Sequence, residues 1–208
     1  MSSDIILYTW STANGIKPSI TLEELGLPYK FEPIDIGVNI QNEEWFLKIS
    51  PNVRIPALVD GSQRVFESGS IMLYLADISP TNTTPIVALV LCRSPISAPD
   101  YSIKRFLDET KRLYSVLEFR LKESLYLAGS KYTIADIASY TWVRHGPALL
   151  EIDLSEFPAL EKWVDEIGKR PAVQQGADVP HVDRTNEQKE LFQSARAKID
   201  GMTNSDKH

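Results

Sequence analysis

Glu67-Ser68 stands between a strand-like run and a helix-like run, and this pair is the chain's clearest candidate for binding chemistry. Backbone N–H groups at a helix start, together with a serine hydroxyl, favour an anion. Serine is also a common N-cap, so Ser68 reads equally as a cap. An X-Pro bond, Ile55-Pro56, precedes an apolar run and can be cis. Earlier, Asn14-Gly15 precedes a helix with Pro18 in its first turn, where an asparagine serves as turn or N-cap residue. There is no Gly-x-Ser-x-Gly elbow, no Gly-Lys-Ser/Thr phosphate loop and no Gly-x-Gly-x-x-Gly. The single cysteine, Cys92, excludes a Cys-x-x-Cys redox pair or a cysteine zinc site. His145, His181 and His208 are too scattered to line a metal helix, so no metal is expected.

These residues need elements to hold them. Ile5 to Tyr8 reads as a short buried strand, followed by turn-forming Thr9 to Gly15. The spacing predicts a helix beginning at Asn14 or Ile16. Leu25-Gly26-Leu27-Pro28 ends it, because Gly suits the left-handed closing position and Pro blocks continuation. Tyr29 to Glu32 alternates like a strand, which makes the opening a parallel strand–helix–strand unit. Trp45 to Ile49 fits a short helix. Ile55 to Val59, Asp60-Gly61 and Arg64 to Phe66 fit a hairpin. Ile71, Met72, Leu75 and Ile78 mark the inner face of a helix begun at Ser68.

The remainder reads as helical. Ile103, Phe106, Leu107, Thr110, Leu113, Tyr114, Leu117 and Leu121 form a stripe at helical spacing. Thr133 with Asp136 three positions on resembles a capping box, and Tyr132 with Ile137 a hydrophobic staple. Leu160, Trp163, Val164 and Ile167 line a helix from Pro158 to about Arg170-Pro171. Trp142, Trp163 and Phe157 read as core residues. After Asp178 the chain is polar, with Leu191, Phe192, Ala195 and Ile199 fitting one amphipathic helix.

The 208 residues are 43% hydrophobic and 24% charged, a globular composition rather than a disordered one. Lys and Arg total 22 against 28 Asp and Glu, a net charge of −6, which disfavours a nucleic-acid binder. The Met-Ser-Ser-Asp start lacks a leader pattern, and no apolar run approaches the ~20 residues that span a bilayer. The expectation is a cytoplasmic protein without membrane or nucleic-acid partners.

The order of these pieces resembles the cytosolic glutathione transferases. Asn52-Val53-Arg54-Ile55-Pro56-Ala57-Leu58 and Glu67-Ser68-Gly69-Ser70 are similar to that family's glutathione-site segments, and Tyr132 to Ile137 to the helix-start motif inside its all-helical domain. Ser11-Thr12-Ala13-Asn14-Gly15, with Glu23-Glu24-Leu25-Gly26-Leu27-Pro28-Tyr29, resembles the fungal and bacterial branch related to the yeast nitrogen-regulator prion protein. In that branch an Asn stands beside the sulfur. The resemblance implies a thioredoxin-like glutathione-binding domain over residues 1–80 and an all-helical domain with a polar tail over 101–208. It also implies glutathione as co-substrate and a homodimer.

By this resemblance, Asn14 is the catalytic residue at the sulfur, with Thr12 a weaker second donor. Glu67 holds the ammonium and Ser68 the carboxylate of the γ-glutamyl end. Ile55 pairs its backbone with the cysteinyl part along an open strand edge, and Gln41 reaches the glycyl end or is simply an exposed loop amide. A free thiol has a pKa of about 8.5. Lowering it by ~1.5 units takes about 2 kcal/mol of preference for the thiolate, which an amide N–H at a helix start can help supply.

The implied activity is transfer of the glutathione thiolate to an electrophile, or glutathione-linked disulfide or peroxide reduction. The alternative is a non-catalytic regulatory or binding protein on the same scaffold. One segment departs from the family: residues 81–100 contain Pro85, Pro95 and Pro99 where relatives carry most of a long helix. It reads as an atypical linker, closer to a splicing or gene-model error than to a designed connection. The expectation is a compromised dimer interface and second-substrate wall, with marginal stability.

Overall fold

The computed structural model describes residues 4–79, 100–150 and 152–181. Strand β1 (Ile5–Thr9), helix α1 (Ile16–Leu25) and strand β2 (Lys30–Pro33) form the first unit, with Ile6 opposite Lys30 in a parallel ladder. The α1 helix stops at Gly26, whose φ of 64° is the left-handed geometry that a side chain resists. A 3₁₀ turn (Ile40–Asn42) and α2 (Glu44–Leu47) lead to the antiparallel hairpin of β3 (Ala57–Asp60) and β4 (Gln63–Phe66). Helix α3 (Ser68–Ile78) closes the unit, and the strand order is β2-β1-β3-β4. This is the thioredoxin-like arrangement that the sequence implies.

The helical part comprises α4 (Asp100–Glu123), α5 (Ile134–Val143), α6 (Gly146–Leu150), α7 (Pro158–Gly168) and α8 (Pro171–Ala177). Thr133 and Asp136 form the expected capping box at α5. Buried Leu160, Trp163 and Ile167 confirm the inner face of α7. The sequence reading did not anticipate α6 or α8; α8 is short and restarts at Pro171 directly after α7. The atypical stretch of residues 81–99 and the expected tail helix at Leu191 to Ile199 lie outside the described residues, as does Cys92.

Two differences have clear physical causes. Ile78 is 39% exposed because it lies in the last turn of α3, beyond the turns that pack on the sheet. The strand entered through Ile55 is interior rather than an edge, since β3 pairs with both β1 and β4.

The core crosses the two parts. Ile5, Leu7, Leu22, Leu58, Ile71 and Leu75 fill the space between the sheet and helices α1 and α3. Ile16, Ile20 and Met72, on the same helices, pack instead with Tyr114, Ile137 and Trp163 of the helical part. Helix α1 is therefore covered on two sides, and every residue from Ile16 to Leu22 is buried. Its contact with α8 is close enough to require glycine, because a Cβ on Gly176 would lie 2.4 Å from Ile20 Cα. The Ser19 hydroxyl donates to the Gly176 carbonyl at 2.6 Å. Arg170 adds a two-pronged ion pair to Glu24 at 2.6 and 2.7 Å.

Candidate functional site

The sheet gathers the candidate residues at one end. Tyr8 lies opposite Ala57, and Ala57 opposite Phe66, so the chain leaving β1, entering β3 and leaving β4 shares one rim. Asn14 follows β1, Ile55 precedes β3, and Glu67-Ser68 follows β4. Thr9 lies opposite Pro33, which brings the chain after β2, and with it Gln41, to the same end. The parallel strands end there too, the side on which α/β sheets place ligands.

Asn14 sits in the turn before α1 and is exposed. It is not the N-cap. Gly15 takes that position in helical geometry, without any side-chain capping bond. The local bonds are made by others: Thr9 Oγ1 donates to the Gly15 carbonyl at 2.7 Å, and Gly15 N–H donates to Thr12 Oγ1 at 3.0 Å. The Asn14 amide makes no hydrogen bond among the described residues and is left facing outward from the helix start.

The α3 start differs from expectation in the same sense. Ser68 is the first helical residue, and the N-cap is Glu67, with φ 70° and ψ 120°. A non-glycine residue held at that φ costs on the order of 1–3 kcal/mol and marks a place where geometry is imposed from outside. Glu67 is fixed by two contacts. Its carbonyl accepts the Ile71 N–H at 2.9 Å, and its Oε1 accepts from Asn52 Nδ2 at 2.8 Å. The Ser68 hydroxyl, no longer needed as a cap, makes no hydrogen bond among the described residues.

The Asn52–Glu67 bond also ties this helix start to the loop carrying Ile55. Buried Ser50 shapes that loop: its hydroxyl donates to the Arg54 carbonyl at 3.0 Å and its carbonyl accepts the Val53 N–H at 2.9 Å. The Ile55-Pro56 peptide is cis, and the Ile55 backbone forms no hydrogen bond among the described residues. Its N–H and carbonyl are free although the strand beyond it is fully paired. Gln41, half-buried in the 3₁₀ turn, donates weakly to Asn39 Oδ1 at 3.4 Å, while its Oε1 is buried without a partner.

Two further residues, Asn52 and Lys17, were given no role by the sequence reading, and a third, Trp142, was read as core. Asn52 orients Glu67 and lay within a recognised segment without a role of its own. Lys17, in the first turn of α1, is 6% exposed, and burial lowers its pKa to about 8. Trp142 is half-buried rather than part of the core, and Lys17 Nζ lies 5.9 Å from its ring. Trp163 and Phe157 are core residues as expected. A cavity of about 570 Å³ bounded by Glu23, Tyr29, Phe31, Asp178 and His181 includes none of the candidate residues. Among the described residues there is no group of three His, Cys, Asp or Glu side chains placed to hold a metal, and no helix long and apolar enough to cross a membrane.

Comparison with known proteins gives this arrangement its relatives. Residues 3–77 match the family model for the glutathione S-transferase N-terminal domain, and residues 83–171 that for the glutathione S-transferase C-terminal domain. The disulfide-bond oxidoreductase YfcG of Escherichia coli (strain K12) is 37% identical over 202 residues, covering 82% of this chain and 93% of that protein. A glutathione transferase homologue from Lodderomyces elongisporus, crystallised with two glutathione molecules per subunit, superposes with a TM-score of 0.74 at 34% identity, over 85% of this chain and 99% of that one. The glutathione transferase URE2P8 from Phanerochaete chrysosporium, crystallised with oxidised glutathione, gives 0.73 at 27% identity, over 86% and 95%. With both domain models matched in order over most of its length, the chain belongs to the glutathione S-transferase family.

Proposed function

We propose that this chain binds glutathione at the rim of its sheet and uses it, as thiolate, in disulfide exchange or transfer to an electrophile. The observation that carries the reading is the pair of unsatisfied helix starts. The Asn14 amide before α1 and the Ser68 hydroxyl at the start of α3 are both without partners among the described residues. A fold that leaves two polar groups open beside helix N-termini, on one rim, suits an anionic ligand carrying a thiol.

In this reading the γ-glutamyl carboxylate accepts from Ser68 Oγ and from backbone N–H groups of the α3 start. Its ammonium pairs with Glu67, which Asn52 holds in place. The free backbone of Ile55 pairs with the cysteinyl residue, as a strand-like peptide pairs with an open edge. Gln41 uses its unpartnered Oε1 toward the glycyl end. Asn14 donates its amide N–H to the sulfur, which makes this an asparagine-type member of the family; Thr12, whose oxygen already accepts from Gly15, still has a hydroxyl proton to donate. Residues 1–80 are then the glutathione-binding domain and 101–208 the helical domain, in a cytoplasmic enzyme whose family homodimer is compromised by the atypical linker of residues 81–100. The relationship to a disulfide-bond oxidoreductase supports disulfide exchange as the first activity to assay.

Calorimetric titration with glutathione tests the recognition half. Ser68→Ala should weaken binding by ~1–3 kcal/mol, the range for a hydrogen bond to a charged group. Unchanged affinity in both Ser68→Ala and Glu67→Ala would reject the assignment. Turnover of a mixed disulfide of glutathione and of an aryl halide separates exchange from conjugation, and activity with neither returns the chain to a binding role.

A further inference from the structure

The cavity of about 570 Å³ lies on the seam between the two parts of the molecule. One wall belongs to the first part: Glu23 in the last turn of α1, with Tyr29 and Phe31 at the head of β2. The other belongs to the helical part: Asp178, Val179 and His181, just beyond α8. One helical turn before Glu23, the Ser19 hydroxyl donates to the Gly176 carbonyl at 2.6 Å, so the two walls are fixed against each other. A volume of this size is within the range of about 300–1,000 Å³ that small-molecule sites occupy.

The chemistry of the lining is of one kind. Tyr29 and Phe31 are two positions apart on an extended chain and share a face, and both rings are half-buried. The Tyr29 hydroxyl donates to Glu23 Oε1 at 2.8 Å. Burial and this bond raise the phenol's pKa, which keeps the ring a neutral donor to the carboxylate. Opposite, His181 Nδ1 lies 2.6 Å from Asp178 Oδ2, and its ring meets Phe31 edge to face with centroids 6.0 Å apart. The described lining thus holds two carboxylates and two aromatic rings and neither lysine nor arginine. Carboxylates attract positive charge directly, and aromatic rings do so through their quadrupole while also covering apolar surface.

We propose that this cavity is a binding site for small organic cations, an ammonium or quaternary nitrogen carried on an apolar frame. Glu23 and Asp178 draw the charge, and Tyr29, Phe31 and Val179 take the frame. Binding is non-covalent, and no proton or electron moves. The ligand is opposite in charge to glutathione, and none of the rim residues lines the cavity, so the site stands independently of the glutathione reading.

Calorimetric titration of the full chain with benzyltrimethylammonium, benzyl alcohol and benzenesulfonate tests the charge preference. The ammonium should bind saturably, the alcohol about tenfold more weakly, and the sulfonate without measurable heat. Glu23→Gln and Asp178→Asn keep the size of each side chain and an acceptor for Tyr29 and His181. Each should weaken the ammonium by about threefold, and both together by about tenfold, with the urea midpoint unchanged. If the double variant does not fold, the single variants carry the comparison. Excess glutathione should leave the ammonium affinity unchanged. No saturable binding, equal affinity for ammonium and sulfonate, or undiminished affinity in the variants overturns the proposal. Displacement of the ammonium by glutathione also overturns it, since the cation would then sit at the sheet rim. Failure of the wild type to bind glutathione, with the ammonium still bound, overturns the reading of the first domain and not this one.

Discussion

The starts of α1 and α5 are built in opposite ways. At α5 the orphan N–H groups are closed from within. Thr133 Oγ1 accepts from Ala135 N–H at 3.2 Å, and Asp136 Oδ2 accepts from Thr133 N–H at 2.9 Å. Asp136 Oδ1 then reaches outside the helix, to Leu127 N–H and Trp163 Nε1, each at 3.0 Å. At α1 the cap is a glycine without a capping side chain, and among the described residues the Asn14 amide has no hydrogen-bond partner and buried Lys17 no carboxylate partner. A helix start that satisfies itself has nothing left to bind with. One held by packing against two neighbours can be left open, since α1 gains its stability from burial on both sides rather than from its cap.

Breaking the closed start should cost stability most. Asp136 is fully buried and serves four donors, so Asp136→Ala leaves several of them unsatisfied. A loss of about 3–5 kcal/mol is expected, read as a lower urea midpoint. The open start should show the reverse pattern. Asn14→Ala should leave the urea midpoint within ~0.5 kcal/mol of wild type. Its turnover should fall on the order of tenfold to a hundredfold with glutathione affinity largely intact, the signature of an interaction that strengthens as sulfur becomes anionic. Equal turnover would make Asn14 a turn residue only.

Thr133→Ala sharpens the comparison at smaller scale, with about 1 kcal/mol lost from a single N-cap and turnover unchanged. A further effect is pH-dependent. Lys17 is lowered from 10.5 to about 8, so between those values the unfolded chain holds a proton that the folded chain has released. Its contribution to stability therefore rises with pH across that window. In the absence of glutathione, the urea midpoint of wild type should gain on that of Lys17→Met as pH increases through it. A constant difference would show that Lys17 titrates as it does in the unfolded chain.

Local chemistry made much of this legible in advance. The Thr133–Asp136 capping box, the Gly26 stop and the hairpin at Asp60-Gly61 depend on a few adjacent residues, so their sequence signals are complete in themselves. Asn14, Ile55 and Glu67 were singled out by the resemblance to the glutathione transferases, and the sheet register is what places them on one rim. Of the two readings open for Ser68, the structure removes the cap, since the N-cap is Glu67 at a positive φ that the sequence pattern does not show.

What the sequence determined by itself is most of the elements, α6 and α8 excepted, with their order and the residue types brought to each helix start. Those follow from hydrophobic period, turn residues and caps, all of which act within a few positions. Only the tertiary structure decided which polar groups are spent and which stay open. Glu118, 42 positions upstream, accepts the Leu160 N–H at 2.9 Å near the start of α7, and the Ser19 hydroxyl is taken by the Gly176 carbonyl. Lys17, placed between α1 and Trp142, is left with no such partner among the described residues. Nothing in the local pattern distinguishes these cases, because pairing and burial are set by which surfaces meet. That is a property of packing between distant segments, not of any run of neighbouring residues.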